Sequence, residues 1–260
     1  MFVSLAELEY WVGAFLLPLF RIGSFFMAVP IIGTQMVPVR VRFGLALAMT
    51  LILIPVLPEM PTYQGLSLDT WIVILNQIII GTMLGFTLQL LFQTFIAGAQ
   101  MIAMQSGLGF AQMTDPSTGI QVVVVAQFYS MMSMLLFLAM NGHLVMIEIL
   151  AQSFYALPIG MNIFSFDVVM RIVLLVSWLF SAALLMALPA ITALLIINLS
   201  FGIMTKAAPQ LNIFAIGFPF TMLMGLIMHY VNVPIFYDHY VRMTHFILDF
   251  IQSMLPPLNG

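Results

Sequence analysis

The chain has 260 residues, 63% of them hydrophobic and 6% charged, with a mean hydropathy of +1.16 and a formal net charge of −3. A soluble domain carries about 25% charged residues, so this composition excludes one and identifies an integral membrane protein. No basic patch suggests nucleic acid, and the absence of cysteine excludes disulfides and thiolate metal sites.

In chain order, the N-terminal MFVSLAELEYW places Glu7 and Glu9 where a cleavable signal would carry lysines, so no cleaved leader is expected. Apolar stretches then occupy roughly 10–32, 43–57, 70–106, 120–141, 143–157, 167–205 and 213–236. None alternates as a strand would, and a bilayer admits only helices or a closed barrel. The expected fold class is an all-α integral membrane protein. Arg40 and Arg42 form a basic pair that favours a cytoplasmic loop before the second stretch.

Two runs exceed a simple span. A helix from Trp71 to Gln105 would extend about 50 Å against a hydrocarbon core of about 30 Å, so it must tilt, fold back or project beyond the lipid. The run Val168–Thr205 contains Pro189, which favours a kink. Ser67-Leu-Asp69 and Ser165-Phe-Asp167 precede the two runs as N-caps. Each run ends in a Phe-x-x-Met-Thr motif followed by proline, which leaves duplication of a helical hairpin open.

On the first long helix, Gln89, Gln93 and Gln100 fall on one face, and Gly81 with Gly85 forms a GxxxG pair suited to helix packing. The amides suit either subunit contacts or a pore lining. Arg21, His143, Glu148, Arg171 and His229 interrupt apolar stretches without metal-ligand spacing. Arg21 is expected to pair with an acid of a partner subunit or to reach an interface. No catalytic constellation or nucleotide loop occurs, so neither an enzyme nor a cofactor is expected.

Between the apolar runs lies QSGLGFAQMTDPSTG, 105–119. Thr118 and Gln121 read as a capping box that starts the next helix near 118. Gly107 and Gly109 supply backbone freedom, while Phe110 and Met113 supply soft apolar bulk able to stop ions by dewetting. A bland connection and a gate both fit these residues. The C-terminal stretch Asp238–Leu255 reads as an amphipathic tail lying at an interface or against a partner.

MQSGLGFAQMTDPSTG, the NGH at 141–143 and LSFGIMTKAAPQLNIFAIGFP at 199–219 together resemble the FliR family of flagellar and type III secretion export-gate proteins, over essentially the whole chain. The resemblance implies a single membrane-embedded subunit over 1–260, with a FliP-like N-terminal part and a FliQ-like C-terminal hairpin. It implies assembly with FliP and FliQ into a helical, cone-shaped complex, much of it above the membrane plane, contacted by FlhB. The setting would be the flagellar basal body in the bacterial inner membrane, with unfolded rod, hook and filament proteins passing through. It further implies that loop 106–114 plugs the pore, with Gly107, Gly109, Phe110 and Met113 as plug residues. Lys206, Pro209, Gln210 and Asn212 match the second signature and are assigned to subunit contacts or pore lining. A small-solute secondary transporter and a purely structural assembly scaffold are the competing readings.

Overall fold

The structure is a computed structural model that describes residues 5–34, 36–58, 67–110, 112–114, 121–160, 166–207 and 213–255. Seven helices are found there: α1 Leu5–Ala28, α2 Val39–Leu53, α3 Leu68–Gln105, α4 Val124–Ala139, α5 Gly142–Ala156, α6 Phe166–Ala207 and α7 Ile213–Met254. The protein is an all-α integral membrane protein. Four stretches, Val39–Val56, Leu68–Gln105, Val168–Ala207 and Ile216–Met254, are long and apolar enough to cross a bilayer.

Ser67 starts α3 by accepting the Thr70 N–H at 3.3 Å, as an N-cap should. The Ser165 cap proposed for α6 lies outside the described residues. Both long runs are single unbroken helices, 38 residues in α3 and 42 in α6. Pro189 sits inside α6, where Thr192 Oγ1 donates to the carbonyls of Leu188 and Pro189, both at 2.9 Å. Asn141 closes α4 in the left-handed conformation, φ 57°.

The amphipathic stretch 238–255 is the end of α7, which continues through it as one 42-residue helix. Its apolar face, Tyr240, Met243, Ile247 and Ile251, is buried within this chain, each residue three or four after the last. One expectation is overturned at the start of α4. Helix does not begin near 118 with Gln121 in its first turn. Gln121–Val123 is strand β2, paired antiparallel with β1, Gln112–Thr114, and α4 starts at Val124. The β-branched run from Val122 onward favours extended chain once a partner strand is at hand.

The chain divides into two compact units. The first comprises 1–89, 137–175 and 247–260. In it α3 lies against α1 through glycines: a Cβ at Gly81 would overlap the Arg21 carbonyl oxygen and Ser24 Oγ, and one at Gly85 would stand 2.8 Å from Ala28 Cβ and 2.9 Å from the Phe25 oxygen. Such an approach requires small residues. Gly81→Ala is expected to destabilise by about 1–3 kcal/mol through overpacking, seen as a lower thermal midpoint in detergent. Gly44→Ala, where an added Cβ meets nothing within 4 Å, should leave the midpoint in place.

Arg21 is the centre of this unit. It is fully buried, against the expectation of an acidic partner or an interface. Its Nε donates to Gln77 Oε1 at 2.8 Å, Nη1 to the Ser153 carbonyl at 2.7 Å and Nη2 to the Leu157 carbonyl at 2.8 Å. The guanidinium lies 4.2 Å from the Phe154 ring centroid. Neutral acceptors suffice because two of them are carbonyls at the C-terminal end of α5, where the helix dipole concentrates negative charge.

The second unit comprises 90–136 and 176–246. Here α3 meets α6 through Gly98, whose added Cβ would overlap Met186 Cε and stand 3.1 Å from the Ala183 oxygen. Ile102 packs with Ala187, Ala190 and Leu194, flanked by Met224 and Met228 of α7. Phe95, Tyr129, Phe236 and Tyr240 form an aromatic cluster beside them.

Candidate functional site

The candidate site is the connection from α3 to α4, 105–123, and it stands on two anchored feet within the second unit. The leading foot begins where α3 stops. Ser106 N–H still reaches the Ile102 carbonyl at 3.0 Å, and Gly107 N–H reaches that of Met104 at 3.3 Å. Gly107 then takes φ +78°, a left-handed residue just past the helix that suits glycine.

This foot is pressed onto α6 and α7. Asn198 Nδ2 of α6 donates to the Gln105 carbonyl at 3.3 Å, satisfying an oxygen that the helix end leaves open. Ser106 is fully buried, with its hydroxyl donating to Ala103 O at 2.9 Å. It sits where Gly225 of α7 has no side chain; a Cβ there would overlap Ser106 Cβ. A Cβ at Gly107 would in turn stand 3.0 Å from the Phe218 ring. Leu108, buried, opens a 3₁₀ turn over Leu108–Phe110.

The returning foot is β2. Gln112, Met113 and Thr114 pair with Val123, Val122 and Gln121, and buried Val122 and Val123 lead into α4. The two described arms of the segment are therefore joined as a short antiparallel ribbon.

Of the residues singled out in the sequence, Gly107, Gly109, Phe110 and Met113 share this one segment. A Cβ at Gly109 would overlap Met104 Sδ. The backbones of Phe110 and Met113 are described, in the 3₁₀ turn and in β1; their side chains lie outside the described part. Lys206 is exposed in the last turn of α6, while Pro209, Gln210 and Asn212 lie outside the described residues. Gln89, Gln93 and Gln100 are half-buried along α3, Gln89 in the first compact unit and the other two in the second. Asn198, Phe218 and Gly225 were not singled out as site residues. The available signals were a lone amide in the apolar run ALLIINLS and a lone glycine in MLMGLIM. Among the described residues no group of three or more His, Asp or Glu stands close enough to hold a metal ion.

The family model for bacterial export proteins, family 1, matches residues 12–247, which takes in the loop and part or all of every helix. The chain belongs to this family. Curated members similar to it include the flagellar biosynthetic protein FliR of Escherichia coli strain K12, 36% identical over 251 residues that cover 95% of each chain. FliR of Pectobacterium carotovorum is 35% identical, with 98% of this chain and 97% of the relative covered. FliR of Aquifex aeolicus is 30% identical, with 93% and 95% covered. Family membership and the apolar helices together make the chain a membrane component of a protein export apparatus.

Proposed function

We propose that the chain is a channel-forming, non-catalytic subunit of the flagellar type III export gate in the bacterial inner membrane. It assembles with FliP and FliQ and meets FlhB, and unfolded rod, hook and filament proteins cross through the assembly. The part before α6 is the FliP-like portion, and α6 with α7 is the FliQ-like hairpin. Loop 106–114 plugs the closed conduit, with Phe110 and Met113 as the blocking side chains and Gly107 and Gly109 shaping the turn. Gln89, Gln93, Gln100, Lys206, Pro209, Gln210 and Asn212 serve subunit contacts or line the path.

The observation that carries this reading is the two-footed loop. A segment fixed at both ends by buried residues, yet connected through only three paired positions on each strand, can separate without unfolding the helices that hold it. The bundle also leaves large side chains such as Leu185, Leu195, Ile196 and Leu199 exposed, apolar surface that lipid or sibling subunits must cover.

Deleting 107–113 from the full chain, expressed with its sibling subunits, tests the plug. The expected result is a complex of unchanged stoichiometry whose membranes leak ions at rest. Phe110→Ala with Met113→Ala should leak in the same direction, less strongly. Assembly with intact sealing would favour the scaffold reading, and solute uptake by the isolated chain would favour a transporter.

A further inference from the structure

His229 follows MLMGLIM, a run without one polar side chain, yet the fold buries the ring to 7% exposure. A polar group in such a place is costly unless it is fully paired. Its place on α7 shows what it meets. Phe218, Gly225, His229 and Phe236 recur at helical spacing and share one face of α7. Phe218 faces Gly107, and Gly225 faces Ser106 and Leu108, all three on the leading foot of the loop. His229 and Phe236 face Tyr129 of α4 instead, with ring centroids 5.7 and 5.2 Å away.

Tyr129 belongs to the returning foot. Strand β2 runs into α4 at Val124, and Tyr129 stands six residues beyond Val123, about 9 Å along the helix. The intervening VVAQF holds no glycine or proline at which the chain would turn. Whatever holds Tyr129 therefore holds the foot. One turn of α7, from Gly225 to His229, touches both feet of the loop.

The contact at Tyr129 is polar and incompletely satisfied. Tyr129 is buried, and its hydroxyl stands 3.4 Å from His229 Nδ1, at the long limit of a hydrogen bond. Whichever of the two donates, His229 Nε2 is buried without a hydrogen-bond partner among the described residues. An orphaned nitrogen in a site closed to water is a standing cost, whereas two apolar side chains of similar shape would carry none. The foot is thus held less firmly than an apolar contact of the same size would hold it.

We propose that Tyr129 and His229 are positioning residues for the closed loop, a weak latch between its returning foot and the turn of α7 that seats its leading foot. This rests on the reading of 106–114 as the plug. The hydrogen bond keeps the foot in register while the loop is seated. The unpaired nitrogen keeps that hold light, so that the foot comes away when a substrate must pass.

The test uses the complex assembled with its sibling subunits, with resting ion conductance read in liposomes and export of flagellar substrate read in cells. Tyr129→Phe strips His229 of its partner and is expected to raise resting conductance about tenfold. Tyr129→Phe with His229→Leu makes the contact apolar and should return conductance to the unmutated level. Export by that double variant should slow about fivefold, because the loop is now held too well. Tyr230→Phe, at a neighbouring position 80% exposed, is the control and should change neither quantity. A double variant that leaks as Tyr129→Phe does, or that exports at the full rate, would overturn the latch. A merely structural loss at Tyr129 would not be reversed by a second substitution. Were Tyr129→Phe to fail to assemble, the double variant decides alone through the same two readouts. Deletion of 107–113 is measured beside them. Latch variants that seal and export normally while the deletion leaks would overturn the latch and leave the plug standing. A deletion that stays sealed would remove the plug, and the latch with it.

Discussion

Arg21→Ala is expected to cost about 3–5 kcal/mol, a large fraction of the roughly 5–15 kcal/mol that holds an ordinary domain folded. Two acceptors, Gln77 Oε1 and the Leu157 carbonyl, would be left without a donor, while the Ser153 carbonyl would keep the Leu157 N–H at 3.0 Å. Each orphaned acceptor costs about 1–3 kcal/mol, and the removed side chain leaves a cavity beside Phe154. The opposing term is real: a buried guanidinium without a carboxylate carries a desolvation cost of several kcal/mol, which the substitution relieves. The two orphaned acceptors decide the balance, because the buried Gln77 and the half-buried Leu157 keep their oxygens at the site whatever replaces the arginine. Lysine is accordingly not a conservative choice, since it keeps the charge and loses the fork that reaches α3 and α5 together. Both variants should show reduced yield of monodisperse protein and a lower thermal midpoint. Arg21→Met combined with Gln77→Leu should recover part of the loss by removing one acceptor with its donor, and strict additivity of the two changes would refute the proposed coupling.

The Arg21 cluster also marks the boundary of what the sequence discloses. Composition and uncharged run length make the membrane class and the long helices α3 and α6 legible, because those properties are local sums. The partners of Arg21 are 56 and 132–136 positions away, and no periodicity in one helix reports which carbonyls of another end beneath it. Asn198 and Gly225 were overlooked for the same reason: a small or polar residue in an apolar run shows that something approaches, without naming it. The full length of α7 was only partly legible, because its apolar stretch ends near 236, whereas a helix already formed continues cheaply through amphipathic sequence when one face remains apolar. The ribbon was missed because each strand has only three residues and acquires its structure from the other.

Gly225→Ala is expected to raise the resting ion conductance of the assembled complex about tenfold, and Ser106→Gly in the same chain should reverse most of that rise. The added methyl would occupy the space of Ser106 Cβ, so either α7 or the leading foot of the loop must give way. Gly225 lies inside a 42-residue helix, whereas the foot is a helix end turned by Gly107, so the foot is the softer of the two. Overpacking of this kind costs about 1–3 kcal/mol, and each 1.4 kcal/mol taken from the seated loop multiplies its unseated population by about ten. Ser106→Gly vacates the same volume from the other side and restores the fit. It gives up only the hydroxyl bond to Ala103, at a position just past the end of α3. Alanine at Gly202, where an added Cβ meets nothing within 4 Å, should leave conductance unchanged and serves as the control. Because the pair exchanges a methyl across one contact, its rescue separates a clash at this contact from an effect of alanine elsewhere on α7, which a smaller residue at Ser106 would not repair. A Gly225→Ala complex that assembles normally and stays sealed would show that the seat of the loop on α7 does not govern closure.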